Sequence, residues 1–386
     1  MFVTRLKLRN WRNFREVDIP FRDTTYVLGA NATGKSNLLD VFRFLRDISK
    51  PQGGGLQKAV SDRGGISKLR CLHARRPPEV VIDVELSESV DDEVPAWRYV
   101  LAFSAEGRGA RRTLISQEKV WKGGNSVKEL DRPNHDDKND KARLTQTHLQ
   151  QVEANSGFRQ IAEFFGDTTY LHVVPQLLKF SDRISGHLLE NDPFGQGLLE
   201  GMAKVSAKTR ESRLKRIENA LKLAIPRFEQ LKFLHDKVDG RPHMEALYTH
   251  HRPHAGWQRE DQFSDGTLRL IGLLWSLLAG NSLLLLEEPE LSLNDAIVKQ
   301  IPLMLQRLQR DSKRRRQIIV STHSEALLSN EGIDGRGIIV LESGSEGSTA
   351  RVTTQTEAVA LRAGLSPAEV ILSNVAQKTA EKLSSW

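Results

Sequence analysis

The sequence predicts an α/β fold with a mixed, partly parallel sheet as its core, and three patterns in its 386 residues support this. A short apolar run at residues 24–28 leads through a glycine-rich turn into a helical pattern at residues 36–48. Apolar and polar side chains alternate at residues 82–86 and 99–103, as in antiparallel strands that are solvated on one face. In the last third of the chain, helical and strand patterns alternate, which is typical of a parallel sheet.

Composition places the chain among ordinary globular proteins, with 39% hydrophobic residues, 27% charged residues and a net charge of +7. We expect a cytoplasmic protein that makes no membrane contact, because the N-terminus lacks an apolar stretch of signal-peptide length. The long apolar run at residues 268–286 is interrupted by Arg269 and by the Gly280-Asn281 pair, so it predicts a helix, a turn and a strand. The single cysteine, Cys71, fits a reducing compartment, and we expect it to be a buried packing residue.

The first elements follow from local patterns. Residues 6–8 and 24–28 predict strands, and residues 36–48 predict a helix because apolar side chains recur at helical spacing. Residues 123–143 are polar and carry mixed charge, so we expect an exposed loop there. The later predicted elements are a strand at 170–174, helices at 207–224 and 294–308, and strands at 283–286, 318–320 and 337–341.

The glycine-rich turn has the sequence GANATGKS and matches the pattern G-x-x-x-x-G-K-[ST] at residues 29–36. Its position after a strand and at the start of a helix is the context that phosphate binding requires. Backbone N–H groups and the helix N-terminus attract phosphate, the amine of Lys35 reaches the β- and γ-phosphates, and the hydroxyl of Ser36 ligates Mg²⁺. The predicted nucleotide-binding residues are Gly29, Ala30, Asn31, Ala32, Thr33, Gly34, Lys35 and Ser36.

Polar residues follow two of the predicted strands. The strand at residues 283–286 runs into Glu287 and Glu288. Because the carboxyl ends of parallel strands face the ligand, we expect Glu287 to approach the metal and Glu288 to polarise a water molecule. His323 follows the strand at residues 318–320 and is a candidate γ-phosphate contact.

A third candidate motif precedes the apolar run. Ser264 and Gly266 lie in the segment QFSDGTLRL, directly before a predicted helix. The segment is either a second anion-binding turn or an ordinary helix N-cap, and the residues alone leave both readings open.

These motifs in this order resemble the ATP-binding-cassette branch of P-loop ATPases, and within it the RecF, SMC and OLD-like heads grouped as AAA_21. Residues 29–36 resemble Walker A, FSDGT at 263–267 the signature motif, LLLLEE at 283–288 Walker B, and VSTHS the segment with the switch histidine. The opening segment LKLRNWRNF resembles the family's first strand and aromatic-basic loop. The resemblance covers nearly the whole chain and implies one ABC-type head over residues 1–386. In it, a core lobe of residues 1–120 and 257–386, including an antiparallel β lobe, would carry an inserted helical and irregular region at 121–256.

The resemblance also implies roles for single residues. Glu288 would be the catalytic carboxylate, and His323 would sense the γ-phosphate of ATP. Ser264 and Gly266 would act on ATP held by a second subunit. Gln176 would be the glutamine that links the metal to the helical lobe, and Arg12 would contact a phosphate. The implied cofactors are ATP and Mg²⁺, with Ser36, Glu287 and Gln176 as metal ligands.

The sequence departs from the family pattern in three places. Glu287 stands where the wider superfamily has Asp, although OLD-like members share Glu. Asp265 and Thr267 replace the Gly and Gln of transporters, which argues against a transporter subunit. Asn294 occupies a position where relatives often carry His.

By the same resemblance we expect an ATP-hydrolysing homodimer, packed head to tail around two ATP molecules, that engages duplex DNA in repair or anti-phage defence. The alternative is an ATP-gated scaffold that controls a separate nuclease or toxin effector without clamping DNA. Only about 60 residues follow His323, too few for the TOPRIM domain of OLD nucleases, so we expect any nuclease to be a separate partner. Candidate DNA contacts are Lys204, Lys208, Arg210, Arg213, Lys215 and Arg216, together with Arg307, Arg310 and residues 313–316.

Four histidines, His243, His250, His251 and His254, suggest a zinc site. The segment has no cysteine, and Arg252 and Pro253 lie between His251 and His254, so a helix that presents a pair of histidine ligands is not expected. We therefore expect surface strands and a histidine-rich loop there.

Overall fold

The computed structural model describes residues 1–74, 78–107, 112–124, 126–180, 194–238, 240–249, 256–280, 282–311 and 315–372. Its described residues fall into two compact units. The first unit comprises those within Met1–Thr169, Asn281–Leu285 and Arg314–Trp386, and the second those within Tyr170–Gly280 and Leu286–Lys313. His250, His251 and His254 of the proposed zinc cluster, and residues 313 and 314 of a proposed basic cluster, lie outside the described residues.

Strands of the described chain form two sheets. They are β1 (Phe2–Trp11), β2 (Phe14–Pro20), β3 (Thr24–Leu28), β4 (Val80–Ser87), β5 (Trp97–Ala105), β6 (Thr113–Lys122), β7 (Val127–Arg132), β8 (Thr169–Leu171), β9 (Phe228–His235), β10 (Pro242–Tyr248), β11 (Gln258–Arg259), β12 (Leu284–Glu287), β13 (Ile318–Thr322), β14 (Ile338–Gly344) and β15 (Gly347–Val352). The larger sheet has the order β7-β6-β5-β4-β1-β2-β15-β14-β3-β13-β12-β8, and the smaller sheet has the order β11-β10-β9.

The α-helices are α1 (Lys35–Ser49), α2 (Leu56–Asp62), α3 (Ile66–Leu69), α4 (His135–Asn139), α5 (Arg159–Gly166), α6 (Pro175–Lys179), α7 (Leu198–Lys204), α8 (Ala207–Ala224), α9 (Asp265–Leu278), α10 (Asp295–Val298), α11 (Ile301–Asp311), α12 (Glu325–Leu328) and α13 (Gln355–Arg362). Short 3₁₀ turns occupy Lys141–Thr145, Ser156–Phe158, Glu260–Gln262 and Gly335–Gly337, and a π-turn occupies Ala368–Leu372. Within the described residues, no helix is both long and apolar enough to cross a membrane.

The larger sheet is mixed, as the sequence predicts. β3 pairs in parallel with β13 on one side and with β14 on the other. Residues 25–28 of β3 are buried, as expected for a strand between two neighbours. The register places Leu28 opposite Thr322 of β13 and Val340 of β14, so the carboxyl ends of these strands lie at one edge of the sheet.

An aromatic cluster fixes α1 on this sheet. The ring of Phe44 lies 5.3 Å from the ring of Trp11 in β1 and 5.4 Å from that of Phe103 in β5. The guanidinium of Arg63 lies over the same Phe44 ring. Because aromatic pairs bury a large apolar area, the helix that follows the phosphate loop is held firmly against the first unit.

In the second unit, α8 covers the smaller sheet. The helix spans Ala207–Ala224, as the sequence predicts, and Ser206 caps its start by accepting a hydrogen bond from the Thr209 N–H. Leu214, Ile217 and Leu221 form its buried stripe. They pack with side chains of β9, β10 and α9 into one apolar cluster.

The segment at residues 123–143 is largely exposed, as predicted, but the prediction that it is a loop is wrong. Val127–Arg132 forms β7, which pairs antiparallel with β6, and α4 follows at His135–Asn139. The reason is a buried ion network, in which Arg132 donates to Glu118 and to Asp137 at 2.8 Å each. Arg132 and Asp137 are buried, whereas most other described residues of the segment are exposed, so its polar composition indicates exposure but not the absence of regular structure.

Several smaller predictions are corrected or confirmed. β4 and β5 are antiparallel, as expected, but their second face is not simply solvated, because Asp83 is buried and pairs with Arg98 at 2.7 Å. The predicted helix at residues 294–308 is two helices, since Pro302 cannot donate the backbone hydrogen bond that would join α10 to α11. The predicted strand at 170–174 ends at Leu171 as β8. Cys71 is buried, as predicted.

Candidate nucleotide-binding site

The phosphate loop lies in the first unit between β3 and α1, and its glycines have no room for a side chain. Gly34 has φ +102°, a left-handed conformation that disfavours other residues. A Cβ at Gly34 would lie 2.2 Å from Nδ2 of Asn13. A Cβ at Gly29 would lie 2.4 Å from Oγ1 of Thr33 and 2.9 Å from the carbonyl oxygen of Leu341. Both glycines of the motif are therefore required by close packing around the loop.

The ammonium of Lys35 lies against the backbone of the loop. Its Nζ donates to the carbonyl oxygens of Gly29 at 2.8 Å and Ala30 at 3.3 Å, and the residue is 7% exposed. Ser36 is exposed in the first turn of α1, and Asn31 and Ala32 are exposed in the loop. Among the described residues, no side chain caps this turn, and the turn contains no acidic residue. The positive end of the helix dipole is therefore left to attract an anion such as phosphate.

The switch-histidine candidate follows the strand next to the loop. Ser321 and Thr322 of β13 are buried, and His323 is exposed directly after the strand. Since Thr322 lies opposite Leu28 in the parallel register, His323 leaves the sheet beside the start of the phosphate loop. Within the first unit, the structure thus brings His323 to the edge of the sheet at which Gly29 begins.

Arg12 lies in the two-residue turn between β1 and β2 and faces α1. Its guanidinium donates to Oδ2 of Asp40 at 2.6 and 3.0 Å. Burial alone would raise the pKa of Asp40, but the charges of Arg63 and Arg12 outweigh it and hold that pKa below its ordinary value. The structure thus places Arg12 in an ion pair with the helix behind the loop, and its phosphate contact stays a prediction.

The carboxylates after β12 belong to the second unit. One carboxylate oxygen of Glu287 accepts a hydrogen bond from the hydroxyl of Tyr170, and its carbonyl oxygen lies 3.4 Å from Nδ1 of His172. Glu288 has φ +44°, an uncommon conformation for a residue other than glycine, and begins a turn in which its carbonyl oxygen accepts from the N–H of Leu291. Both glutamates are half-buried.

The signature candidate is a helix start. The hydroxyl of Ser264 caps α9 by accepting from the Thr267 N–H at 3.1 Å, so the N-cap reading is confirmed, and its contact with an anion stays a prediction. A Cβ at Gly266 would lie 2.5 Å from the carbonyl oxygen of Ser292. Close packing against the turn after β12 therefore requires glycine at this position.

The side chain of Gln176 makes a hydrogen bond to the signature candidate. Its Nε2 donates to Asp265 at 2.7 Å, and the ammonium of Lys179 donates to the other oxygen of the same carboxylate at 2.7 Å. These contacts tie α6 to the start of α9 within the second unit. The predicted metal contact of Gln176 stays a prediction. Asn294, which stands where relatives often carry His, caps α10 by accepting from the Ala296 N–H.

Three residues of the candidate site are not apparent from the sequence motifs. Arg269 lies one turn after Asp265, where burial lowers its pKa and the charges of Asp265, Glu288 and Glu290 oppose that effect. A charged residue inside an otherwise apolar helix was the available signal for it. Tyr170 and Asn13 gave no comparable signal, because their partners are distant in the chain.

Two of the predicted metal ligands carry oxygen donors of the kind that Mg²⁺ prefers. Ser36 in the first unit has a hydroxyl, and Glu287 in the second unit has a carboxylate. Mg²⁺ in such sites takes one or two protein oxygens and completes its shell with phosphate and water. Among the described residues, no group of three or more His, Cys, Asp or Glu side chains is arranged to hold a metal.

In the basic cluster at residues 204–216, some side chains are engaged in contacts within the protein and others are exposed. Arg210 donates to backbone carbonyls before the helix and lies over Phe233, and Arg213 lies over Trp275. Lys215 pairs with Glu218 at 2.8 Å. The remaining members, Lys204, Lys208 and Arg216, are exposed.

In the second basic cluster, Arg316 is buried and is not available to DNA. Arg316 is 7% exposed and donates to the carbonyl oxygen of Ser282, and burial lowers its pKa to about 10. The prediction that it contacts a nucleic-acid phosphate is therefore wrong, because a buried guanidinium cannot reach one. Arg307 is exposed on α11.

Comparisons with known proteins agree with this geometry. A family model described as "AAA domain, putative AbiEii toxin, Type IV TA system" and named AAA_21 matches residues 25–329. The "DNA replication and repair protein RecF" of Synechocystis sp. is 29% identical over 90 residues, which make up 23% of each of the two chains. The chain therefore matches about a quarter of the length of this curated relative.

Two solved structures of SMC heads are similar to this chain. The SMC head bound to the C-terminal winged-helix domain of ScpA is 15% identical, with a TM-score of 0.54 over 93% of this chain and 100% of that one. The SMC head domain of Thermotoga maritima is 14% identical, with a TM-score of 0.48 over 92% of this chain and 100% of that one. The first of these similarities supports the predicted α/β head fold.

Proposed function

Because this chain belongs to the AAA_21 family of ABC-type P-loop ATPases, with RecF and SMC heads as relatives, we propose that it binds ATP with Mg²⁺ and hydrolyses it to ADP and phosphate. One observation carries the proposal. The phosphate loop has the required motif, the required position between β3 and α1, and glycines that close packing demands. A loop that only turned the chain would not need a buried lysine whose ammonium donates to its backbone.

Each residue has a defined task in the proposed reaction. The loop N–H groups and Lys35 bind the β- and γ-phosphates. Ser36 and Glu287 supply oxygen ligands for the metal, which neutralises charge that develops on the phosphates. Glu288 accepts the proton of the attacking water, and His323 donates a hydrogen bond to the γ-phosphate.

We further propose an ATP-dependent homodimer that engages DNA. In it, Ser264 and Gly266 of one copy act on ATP bound to the other, so an interface with twofold symmetry completes two sites at once. The name of the curated relative, a DNA replication and repair protein, supports a role with DNA.

A second candidate function, an ATP-gated scaffold for a separate effector, is favoured by the state of the basic clusters. Arg210, Arg213 and Lys215 are engaged within the second unit, and Arg316 is buried in the first. Fewer cations are therefore presented to DNA phosphates than the sequence suggests. The family description, which names a toxin, fits such a partner.

Two variants test the ATPase proposal. We expect Lys35→Ala to abolish ATP binding in titration calorimetry, because it removes the cation that faces the phosphates. We expect Glu288→Gln to keep ATP affinity, to lower kcat by at least about 100-fold through loss of the general base, and to accumulate dimer in light scattering. The controls are Lys68→Ala and Glu93→Gln, which change exposed residues outside the motifs.

The outcomes separate the assignments. Normal turnover by Glu288→Gln would remove Glu288 from the catalytic role. Wild-type ATP affinity in Lys35→Ala would remove the phosphate loop from the proposed site. Turnover without dimer would reject only the homodimer.

A further inference from the structure

We infer that Asn13 is a positioning residue for the phosphate loop, which it holds in its phosphate-binding shape, and that Ser348 of β15 orients Asn13 for this task. The inference rests on the proposed ATPase function. It concerns a side chain that contacts the loop and lies outside the motif itself.

Asn13 makes hydrogen bonds with its whole amide group. Its Nδ2 donates to the carbonyl oxygen of Thr33 at 3.0 Å and to Oγ of Ser348 at 2.7 Å. Its Oδ1 accepts from Nδ2 of Asn37 at 2.8 Å. The carbonyl of Thr33 can only accept, so the amide must present its NH₂ group there. These three contacts fix the orientation of the side chain.

The bond to Thr33 also orients the next peptide N–H. The peptide between Thr33 and Gly34 is planar and trans, so its N–H points away from its C=O. Holding the carbonyl toward Asn13 therefore turns the Gly34 N–H to the side of the loop opposite Asn13. A phosphate-binding loop depends on several N–H groups that converge on one anion, and Asn13 fixes one of them.

The β1–β2 turn that carries Asn13 is rigid. Arg12 and Asn13 form the two-residue turn between Trp11 and Phe14, which are paired in the β1–β2 register, and Arg12 has φ +49°. Two-residue turns with positive φ match the twist of their strands and leave little freedom. The indole N–H of Trp11 donates to the carbonyl oxygen of Asn37 at 2.8 Å, which adds a second link to α1.

The tip of the β14–β15 hairpin, which is distant in the chain, contacts Asn13. The N–H of Ser348 donates to the carbonyl oxygen of Asn13 at 2.8 Å, while its hydroxyl accepts from the Asn13 side chain. A Cβ at Gly347, which has φ +109°, would lie 2.6 Å from the Asn13 carbonyl oxygen. Backbone and side chain of Asn13 are thus both held by the hairpin.

The test compares Asn13→Ala with a matched control. Arg15→Ala removes an exposed ion pair between the same strand, β2, and Glu346 at the same hairpin tip, without touching the loop. We expect Asn13→Ala to weaken ATP affinity by about tenfold, as the loss of one or two hydrogen bonds implies, with kcat nearly unchanged. Arg15→Ala should keep wild-type affinity. Ser348→Ala should have an intermediate effect, because it removes one of the orienting bonds and leaves the contact with Thr33.

Asn13→Asp separates positioning from packing. The variant keeps the size of the side chain and the acceptor for Asn37, but it turns a carboxylate oxygen toward the Thr33 carbonyl. We expect ATP affinity in Asn13→Asp to fall at least as far as in Asn13→Ala. Affinity equal to that of the wild type in either variant would overturn the inference.

A second measurement does not depend on ATPase activity. Amide hydrogen exchange of residues 29–38 in nucleotide-free protein should be faster in Asn13→Ala than in the wild type, and unchanged in Arg15→Ala. Equal exchange in all three proteins would overturn the inference even if ATP is hydrolysed. Conversely, faster exchange in a protein that binds no ATP would keep the positioning role and reject the proposed function.

Discussion

Gly266 shows how single residues join the signature candidate to the turn after β12. The α-carbon of Gly266 is so close to Ser292 that a Cβ would lie 2.5 Å from a backbone carbonyl oxygen. A backbone atom cannot move aside as the end of a flexible side chain can. At this contact there is room only for the hydrogen atom of glycine. The start of α9 and the segment after the turn at Glu288–Leu291 therefore hold each other in position.

We expect Gly266→Ala to lower the free energy of unfolding by about 1–3 kcal/mol, because the added methyl group overpacks this contact. The control is Gly201→Ala in α7, where the space around an added Cβ is open. Alanine there should raise stability by up to about 1 kcal/mol, since it restricts the unfolded chain and favours the helix. Urea unfolding of both variants measures the difference. A Gly266→Ala variant as stable as the wild type would show that the turn shifts freely.

At the scale of elements, the carboxylate of Glu218 links α8 to β9. Oε2 of Glu218 accepts from the N–H of Leu231 at 3.1 Å, and its other oxygen accepts from Lys215 and Lys222. Among the described strands, β9 ends the order of the smaller sheet, and its Leu231 N–H donates to Glu218. Glu218 thus satisfies a sheet edge and anchors the helix over it.

Glu218 makes the stability of the second unit depend on pH. Burial alone would raise its pKa, but the hydrogen bonds from Lys215, Lys222 and Leu231 lower it to about 2 from an ordinary value of 4.5. A carboxyl group with a lowered pKa contributes stability that is fully present above pH 4.5 and is lost as the pH falls toward 2. The full effect is of order 1–3 kcal/mol.

Urea unfolding of the wild type and of Glu218→Gln at several pH values measures this contribution. We expect the wild type to be more stable at pH 7, and the difference to shrink steadily between about pH 5 and pH 3. Glu211→Gln, on an exposed part of the same helix, should show no such change. A difference for Glu218→Gln that stays constant with pH would contradict the role of the charge.

Elements with local signals were predictable from the sequence. The bounds of β3 and α8 agree with the prediction because each has a clear apolar pattern, and α8 also has a capping serine. By contrast, β7 and α4 depend on Arg132, whose partners lie 14 and 5 residues away and are buried with it. A polar segment that is stabilised by buried ion pairs has the same composition as a loop, so composition alone cannot distinguish the two.

The same limit applies to the candidate site. The residues of the phosphate loop are contiguous, so a motif finds them. Asn13 and Ser348 are 335 positions apart, and only the sheet order brings them together. Pairing of distant segments leaves no periodic trace in either of them.

At the scale of the whole molecule, the net charge of +7 is too dilute to indicate a nucleic acid. The exposed cations of the cluster at residues 204–216 are Lys204, Lys208, Lys215 and Arg216, of which Lys215 pairs with Glu218. If the protein clamps DNA, Lys204, Lys208 and Arg216 are able to neutralise phosphates. Their effect must then depend on salt, because neutralised phosphates release counterions.

We expect alanine at Lys204, Lys208 and Arg216 together to weaken DNA binding in the presence of ATP, with ATPase activity retained. The slope of log affinity against log salt should become less steep by up to about 3, or about one for each lost contact. The control replaces Lys128, Lys138 and Lys141, exposed lysines of the first unit, and changes the net charge equally. Electrophoretic shift across a salt series measures both. Absence of DNA binding in the wild type would favour the scaffold function.

The sheet order also has a consequence for how the protein is made. β3 leads into the phosphate loop near the start of the chain, but its two neighbours, β13 and β14, begin about 290 residues after it ends. At roughly 5–20 residues per second, a ribosome needs about 15 seconds to a minute to make that stretch. During that time β3 has neither partner, and Asn13 lacks the hairpin that holds it. The first strand of the nucleotide site is therefore made well before its neighbours, and we expect nascent chains to need protection from aggregation until β13 and β14 have been translated.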